Sequence, residues 1–142
     1  MLRQLLVGAA VSTCNIAIHA LIMTVVVRVT QAVGSKNVWH PWLLLTFVMI
    51  AVVSILMVAH TSEVIVWSLA YATINAAPAG ADLVYFAFVN YTTLGYGDVI
   101  PVELWRLLGP ITAMNGVLLF GWSTAVIFEV LRRALLRTDM LS

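Results

Sequence analysis

The sequence predicts an all-α membrane protein: three transmembrane helices, a short re-entrant helix between the second and third, and an extended strand after it. Three observations carry this. Of 142 residues 63% are apolar and 9% charged, with a mean hydropathy of +1.05, whereas a soluble domain carries about a quarter charged residues. The charges are gathered so that residues 4–27, 37–62, 64–81 and 107–128 hold none, and roughly 20 such residues cross about 30 Å of hydrocarbon. Between the last two long spans, glycines and a proline set off an apolar run, 83–92, that is too short to cross. This composition excludes a soluble enzyme, a disordered linker and a nucleic-acid-binding domain. The net charge of +1 predicts no polyanionic partner and no nucleic acid. The single cysteine, Cys14, forbids an intrachain disulfide.

Residues 1–30 form the first helix. Arg3 before an apolar stretch imitates a secretory signal, but a signal's apolar region runs about 7–15 residues and ends at a small-residue cleavage site. Here the pattern continues through Ile16, Ile18, Leu21, Ile22, Met23, Val25 and Val27. Val11-Ser12-Thr13 before Cys14 is a poor match to a lipidation site. Residues 31–41 then read as a cytoplasmic loop, from Gly34, Ser35, Lys36, Asn37 and Pro41, with Pro41 suited to the first turn of the next helix.

Residues 42–75 form the second, outer helix, interrupted only by His60-Thr61-Ser62-Glu63. The alternative is a break there, giving four crossings. The second piece would then rise only about 17 Å at 1.5 Å per residue, and the proposed turn lacks Gly and Pro. Positive charge favours three crossings: Arg28, Lys36, Arg132, Arg133 and Arg137 fall on one side, Arg3 and Arg106 on the other. Because cytoplasmic loops collect Lys and Arg, the N-terminus is expected outside and the C-terminus inside, in a multi-pass plasma-membrane protein (the inner membrane in a bacterium). Residues 76–105 are a loop, 106–133 the third helix, and 134–142 a short cytoplasmic tail with no room for a ligand-binding domain.

The loop carries the chemistry. Asp82 follows Pro78 and Gly80 and precedes an apolar run, a helix N-cap signature, so a helix is expected over 83–92. It enters the membrane and stops. Irregular backbone at that depth is tolerated only where it lines a water-filled path or is buried in protein, which bears on Thr92-Thr93-Leu94-Gly95-Tyr96-Gly97-Asp98. Gly95 and Gly97 permit positive φ, which can turn successive carbonyls toward one axis.

These seven residues, placed after a short helix and between two spans, resemble the potassium channel family, whose filter signature is T-T-V/I/L-G-Y-G-D. Residues 83–92 then correspond to its pore helix and 92–98 to its filter. The resemblance implies a homotetramer in membrane lipid, since one filter strand per chain requires four copies around an axis. It implies passive conduction of K⁺ through rings of oxygens from Thr93, Leu94, Gly95, Tyr96 and Gly97. K⁺ is then the permeant ligand and no cofactor is expected. Leu94 and Tyr96 are expected to point away from the axis and wedge the strand against its pore helix. The partially negative C-terminal end of that helix favours a cation, and Asp98 adds a carboxylate at the outer entrance. Many family members carry a carboxylate four residues before the second threonine, where this chain has Val89, so Tyr85 is the expected partner of Asp98.

The third helix continues the resemblance. Its Gly116, Phe120, Gly121, Thr124 and Ala125 match the G-x-x-x-F-G-x-x-T-A of simple bacterial channels. Carried over, Gly116 is a hinge and Thr124 faces a cavity, with Phe128 and Arg132 next along that face. Close helix packing is the rival reading for Gly116 and the favoured one for Gly121. The resemblance covers residues 82–133 and leaves the first helix outside it.

The remaining polar residues have plainer expectations. His60 and Glu63, three apart, could bind a metal or sense pH. A metal would need ligands beyond this pair, so partial hydration near the outer headgroups is expected instead. Asn15 and His19 share a face of the first helix and should hydrogen-bond to a neighbouring helix. Glu129 should pair with Arg132 or Arg133. Trp39, Trp42 and Trp105 read as interfacial anchors. No regular Arg or Lys repeat suggests a voltage sensor, and no nucleophile–base pair suggests an enzyme. A weakly selective cation channel and a non-conducting assembly subunit are the alternatives to a potassium channel.

Overall fold

The computed structural model describes residues 1–34 and 41–139. They form four helices, α1 (Leu2–Gly34), α2 (Pro41–Ile74), α3 (Leu83–Tyr91) and α4 (Leu108–Asp139), with a single 3₁₀ turn at Glu103–Trp105. No strand occurs among the described residues. Three segments are long and apolar enough to cross a membrane: Leu2–Thr30, Trp42–Ile74 and Glu103–Leu136. Helices of 32 to 34 residues are about 50 Å long at 1.5 Å per residue. They exceed a hydrocarbon core of about 30 Å, so tilt or protrusion takes up the excess.

α2 runs unbroken through residues 60–63, which selects three long helices over four. With neither Gly nor Pro to release the backbone, Thr61 and Ser62 turn their hydroxyls back on the carbonyls of Met57 (2.8 Å) and Ala59 (2.6 Å) and stay helical. The helix ends where Asn75 takes a left-handed φ of 51°. The N–H of Asn75 then reaches Ala72 O and that of Ala76 reaches Tyr71 O, closing the last carbonyls in a Schellman motif.

α1 and α4 lie side by side and parallel. The main-chain N–H of Leu107 donates to Gln4, Asn15 bonds Asn115, and His19 faces Ser123, at sequence separations of 103, 100 and 104. A Cβ on Gly8 would lie 2.8 Å from the Ile111 side chain, so glycine permits that close approach. α2 runs antiparallel to both, with α3 held between α2 and α4.

The core has two centres. One gathers Trp67 and Tyr71 of α2, Phe86, Ala87 and Tyr91 of α3, and Trp105 and Leu108. The other joins Met23 and Val26 of α1 to Val52 and Leu56 of α2 and Val130 of α4. In lipid, association rests on close packing and interhelical hydrogen bonds, the latter worth about 0.6 kcal/mol each on average. Tyr71–Thr112 (2.5 Å) and Trp67 Nε1 to Asn115 Oδ1 (3.0 Å) are bonds of this kind.

Several expectations from sequence are corrected. α1 continues to Gly34 and α4 to Asp139, beyond 30 and 133, because neither end meets a breaker that stops the helix. Trp105 is no interfacial anchor. It is 3% exposed, drawn into the core with the Arg3 guanidinium 5.0 Å above its ring. Trp42 is exposed. Lys36, Trp39 and the centre of the 31–41 loop lie outside the described residues, as do residues 140–142 of the tail.

Candidate functional site

The loop between α2 and α4 is built on α3. Asp82 caps this helix as its composition predicts, its Oδ1 accepting from the N–H groups of Val84 (3.0 Å) and Tyr85 (3.1 Å). At the other end the helix stops at Tyr91, with Thr92 as C-cap and its hydroxyl donating to Phe88 O at 2.7 Å. The main chain then folds back on the helix end. Thr93 N–H reaches Asn90 O, and the N–H groups of Leu94 (3.0 Å) and Gly95 (3.4 Å) converge on Val89 O. Val89 therefore supports the segment through its carbonyl, while its side chain is buried.

From Thr93 the backbone alternates. Thr93, Gly95 and Gly97 have φ of 60°, 60° and 78°, while Leu94 and Tyr96 between them keep negative φ. A regular strand points successive peptide units to opposite sides; alternating hands allow them to face the same side. Glycine adopts the left-handed form freely. For Thr93 it is a true outlier, of the strained kind that clusters at functional positions, and its residue type gave no sign of it. Residues 92–98 are all exposed on the chain. Leu94 is 53% and Tyr96 68% exposed, so neither wedges against its own α3 as expected. Val89 O holds the main chain there.

Asp98 closes the segment. Its Oδ2 accepts from the Tyr85 hydroxyl at 2.6 Å and its Oδ1 from the Val99 N–H at 3.0 Å, the pairing expected for Tyr85. The Tyr85 hydrogen bond holds the Asp98 carboxyl below its ordinary range, and the same bond raises the Tyr85 phenol. Asp98 is thus an ionised carboxylate fixed at the end of the segment.

α4 supports α3 from behind. A Cβ on Gly116 would collide with the Tyr91 carbonyl oxygen, so close packing explains this glycine. Gly121, expected to pack, meets nothing within 4 Å among the described residues. The Phe120 ring lies against His60 (centroids 4.4 Å apart) and Tyr91 (5.4 Å). Thr124 and Phe128 are exposed, the Thr124 hydroxyl donating to Phe120 O at 2.9 Å. At the far end Glu129 accepts from Arg132 (2.8 and 3.0 Å) and from Arg133, as its spacing predicts.

Behind α3 lies a constellation that sequence reasoning saw only in halves. Glu63 is fully buried, not hydrated at the headgroups, because unbroken α2 carries it between α1 and α3. Its Oε1 faces His19 Nδ1 at 2.7 Å and its Oε2 faces His60 Nδ1 at 3.0 Å. The Tyr91 hydroxyl also donates to Oε2. Asn15 Nδ2 donates to the Glu63 main-chain O at 3.2 Å. Each pair, Asn15/His19 and His60/Glu63, was legible from its spacing, but their meeting depends on the register of α1 against α2.

Residues 59–133, slightly more than half of the chain, match the family model described as an ion channel. No curated protein matches, and no solved structure does.

Proposed function

From the premise that the chain belongs to the ion-channel family, we propose that it conducts K⁺ selectively and passively through a homotetrameric pore. One observation carries the reading: the left-handed φ at Thr93, Gly95 and Gly97, inside a T-T-L-G-Y-G-D segment exposed on the single chain. Four such segments around an axis would present rings of oxygens from Thr93, Leu94, Gly95, Tyr96 and Gly97 in place of the hydration shell. The exposed Leu94 and Tyr96 side chains would then find their partners on neighbouring copies.

The electrostatics run the same way. α3 ends at Tyr91, and its partial negative end faces the start of the segment, which favours a cation. Ionised Asp98 adds negative charge where ions would enter. Several ions in file offset tight binding by mutual repulsion, so that conduction is fast. The distribution of Lys and Arg supports an N-terminus outside and a C-terminus in the cytoplasm, an orientation compatible with the parallel course of α1 and α4.

The test is K⁺ against Na⁺ flux in liposomes holding the purified protein, with Ba²⁺ as blocker. Selective flux that Ba²⁺ stops is expected. Equal K⁺ and Na⁺ flux would replace this reading with a weakly selective cation channel. Cross-linking that yields dimers and no tetramers would remove the pore.

A further inference from the structure

The His19, His60 and Glu63 cluster has no part in the conduction path described above. It brings His19 of α1 and His60 and Glu63 of α2 together so that one donor atom from each lies within 4.8 Å of the others. His19 and Glu63 are fully buried, and the His60 side chain is 12% exposed. Ionisable groups at such depth are costly unless they do something.

We propose that these three residues, closed by Tyr91, bind a divalent transition ion of the zinc class. Two imidazoles and a carboxylate are donors that Zn²⁺ favours. With bonds of about 2.0–2.2 Å, tetrahedral ligand atoms stand about 3.3 Å apart. The three donor atoms lie within 4.8 Å of one another, so side-chain shifts that draw them together would complete the site. Charge selects the fourth ligand. A divalent ion on Glu63 alone leaves one positive charge in an apolar setting. The Tyr91 hydroxyl, 2.9 Å from His60 Nδ1 and bonded to Glu63, neutralises it by binding as phenolate. The protons of the phenol and of any N–H on the ligating nitrogens leave to water.

Ser123 supplies an independent argument. Its Oγ lies 2.9 Å from His60 Nε2 and 3.3 Å from His19 Nε2. With a metal on both Nδ1 atoms, both Nε2 atoms carry hydrogen, and one hydroxyl oxygen can accept from both. This is the second-shell contact that orients ligating histidines.

The experiment uses the full chain, purified and stripped with chelator, titrated with Zn²⁺ and then Co²⁺. One ion per chain is expected, with the intense visible absorption of four-coordinate Co²⁺ and release of protons to the buffer. His19→Gln, which keeps a donor for Glu63, should weaken binding by roughly a hundredfold or more, beyond the usual cost of second-shell changes. Tyr91→Phe should bind more weakly and release one proton fewer. A folded wild-type protein that takes up no metal would overturn the proposal. So would the weak spectrum of a six-coordinate surface ion, or binding unchanged in both His19→Gln and His60→Gln. If a variant fails to assemble, the wild-type spectrum and proton release decide alone. None of these readouts uses ion flux, so the result stands apart from the question of K⁺ selectivity.

Discussion

Asp98 and Tyr85 make a bond with a defined pH window. Because the bond depresses the Asp98 carboxyl, its stabilisation is whole above the ordinary carboxylate range and is lost as pH falls through the lowered value. Because it raises the phenol, the bond is lost on the alkaline side only as pH climbs past tyrosine's usual 10. Tyr85→Phe is expected to let Asp98 take up its proton at higher pH, read directly from the Asp98 carboxyl carbon by NMR titration. A titration unchanged by the substitution would show the bond to be absent in the membrane. Gly95 carries a second prediction. Its φ of 60° costs an ordinary L-residue about 1–2 kcal/mol, so Gly95→Ala should distort the alternation. The expected outcome is loss of K⁺ over Na⁺ discrimination in liposome flux, with the oligomer intact on cross-linking. Both sites were legible in the sequence: Tyr85 through the resemblance, which puts Val89 where many relatives carry a carboxylate, and Gly95 through the positive φ that glycine permits. Residue types could not indicate Thr93, whose left-handed φ is imposed by the carbonyls of Val89 and Asn90 and not by its own side chain.

Among the elements, α4 is the most informative. The Tyr91 carbonyl lies against Gly116 with no space for a methyl group, so Gly116→Ala must push α3 and α4 apart. Such overpacking costs about 1–3 kcal/mol and should lower the melting temperature of the purified protein. Gly121→Ala adds a methyl that meets nothing within 4 Å among the described residues and should leave melting near wild type. Equal effects of the two would mean that the α3–α4 contact is looser than described. The helices themselves were legible in the charge-free stretches, and the Asp82 cap in its flanking breakers. The burial of Trp105 was not, because it depends on the core that α2 and α3 gather around it. The fit of Gly8 to Ile111 was equally invisible, since a glycine in an apolar helix does not say what approaches it.

For the molecule as a whole, the parallel course of α1 and α4 decides the number of crossings. Three crossings put residue 2 and the end of α4 on opposite sides, and with the orientation proposed above Leu2→Cys should react with a membrane-impermeant thiol reagent from the outside of intact cells. Labelling only after the cells are opened would reverse the orientation. The sequence revealed the fold class and the signature segment because each is written in local residues. It did not reveal the meeting of His19 with Glu63, because that requires two helices to align at residues 44 positions apart. Tyr91 draws these scales together. Its carbonyl rests on α4 at Gly116, and its hydroxyl is held by Glu63 of α2. Mechanically it is a beam pinned at both ends, with no slack between its supports. Any change in the distance between α2 and α4 must therefore be taken up at the next joint, the soft backbone torsions that lead from Tyr91 into Thr92.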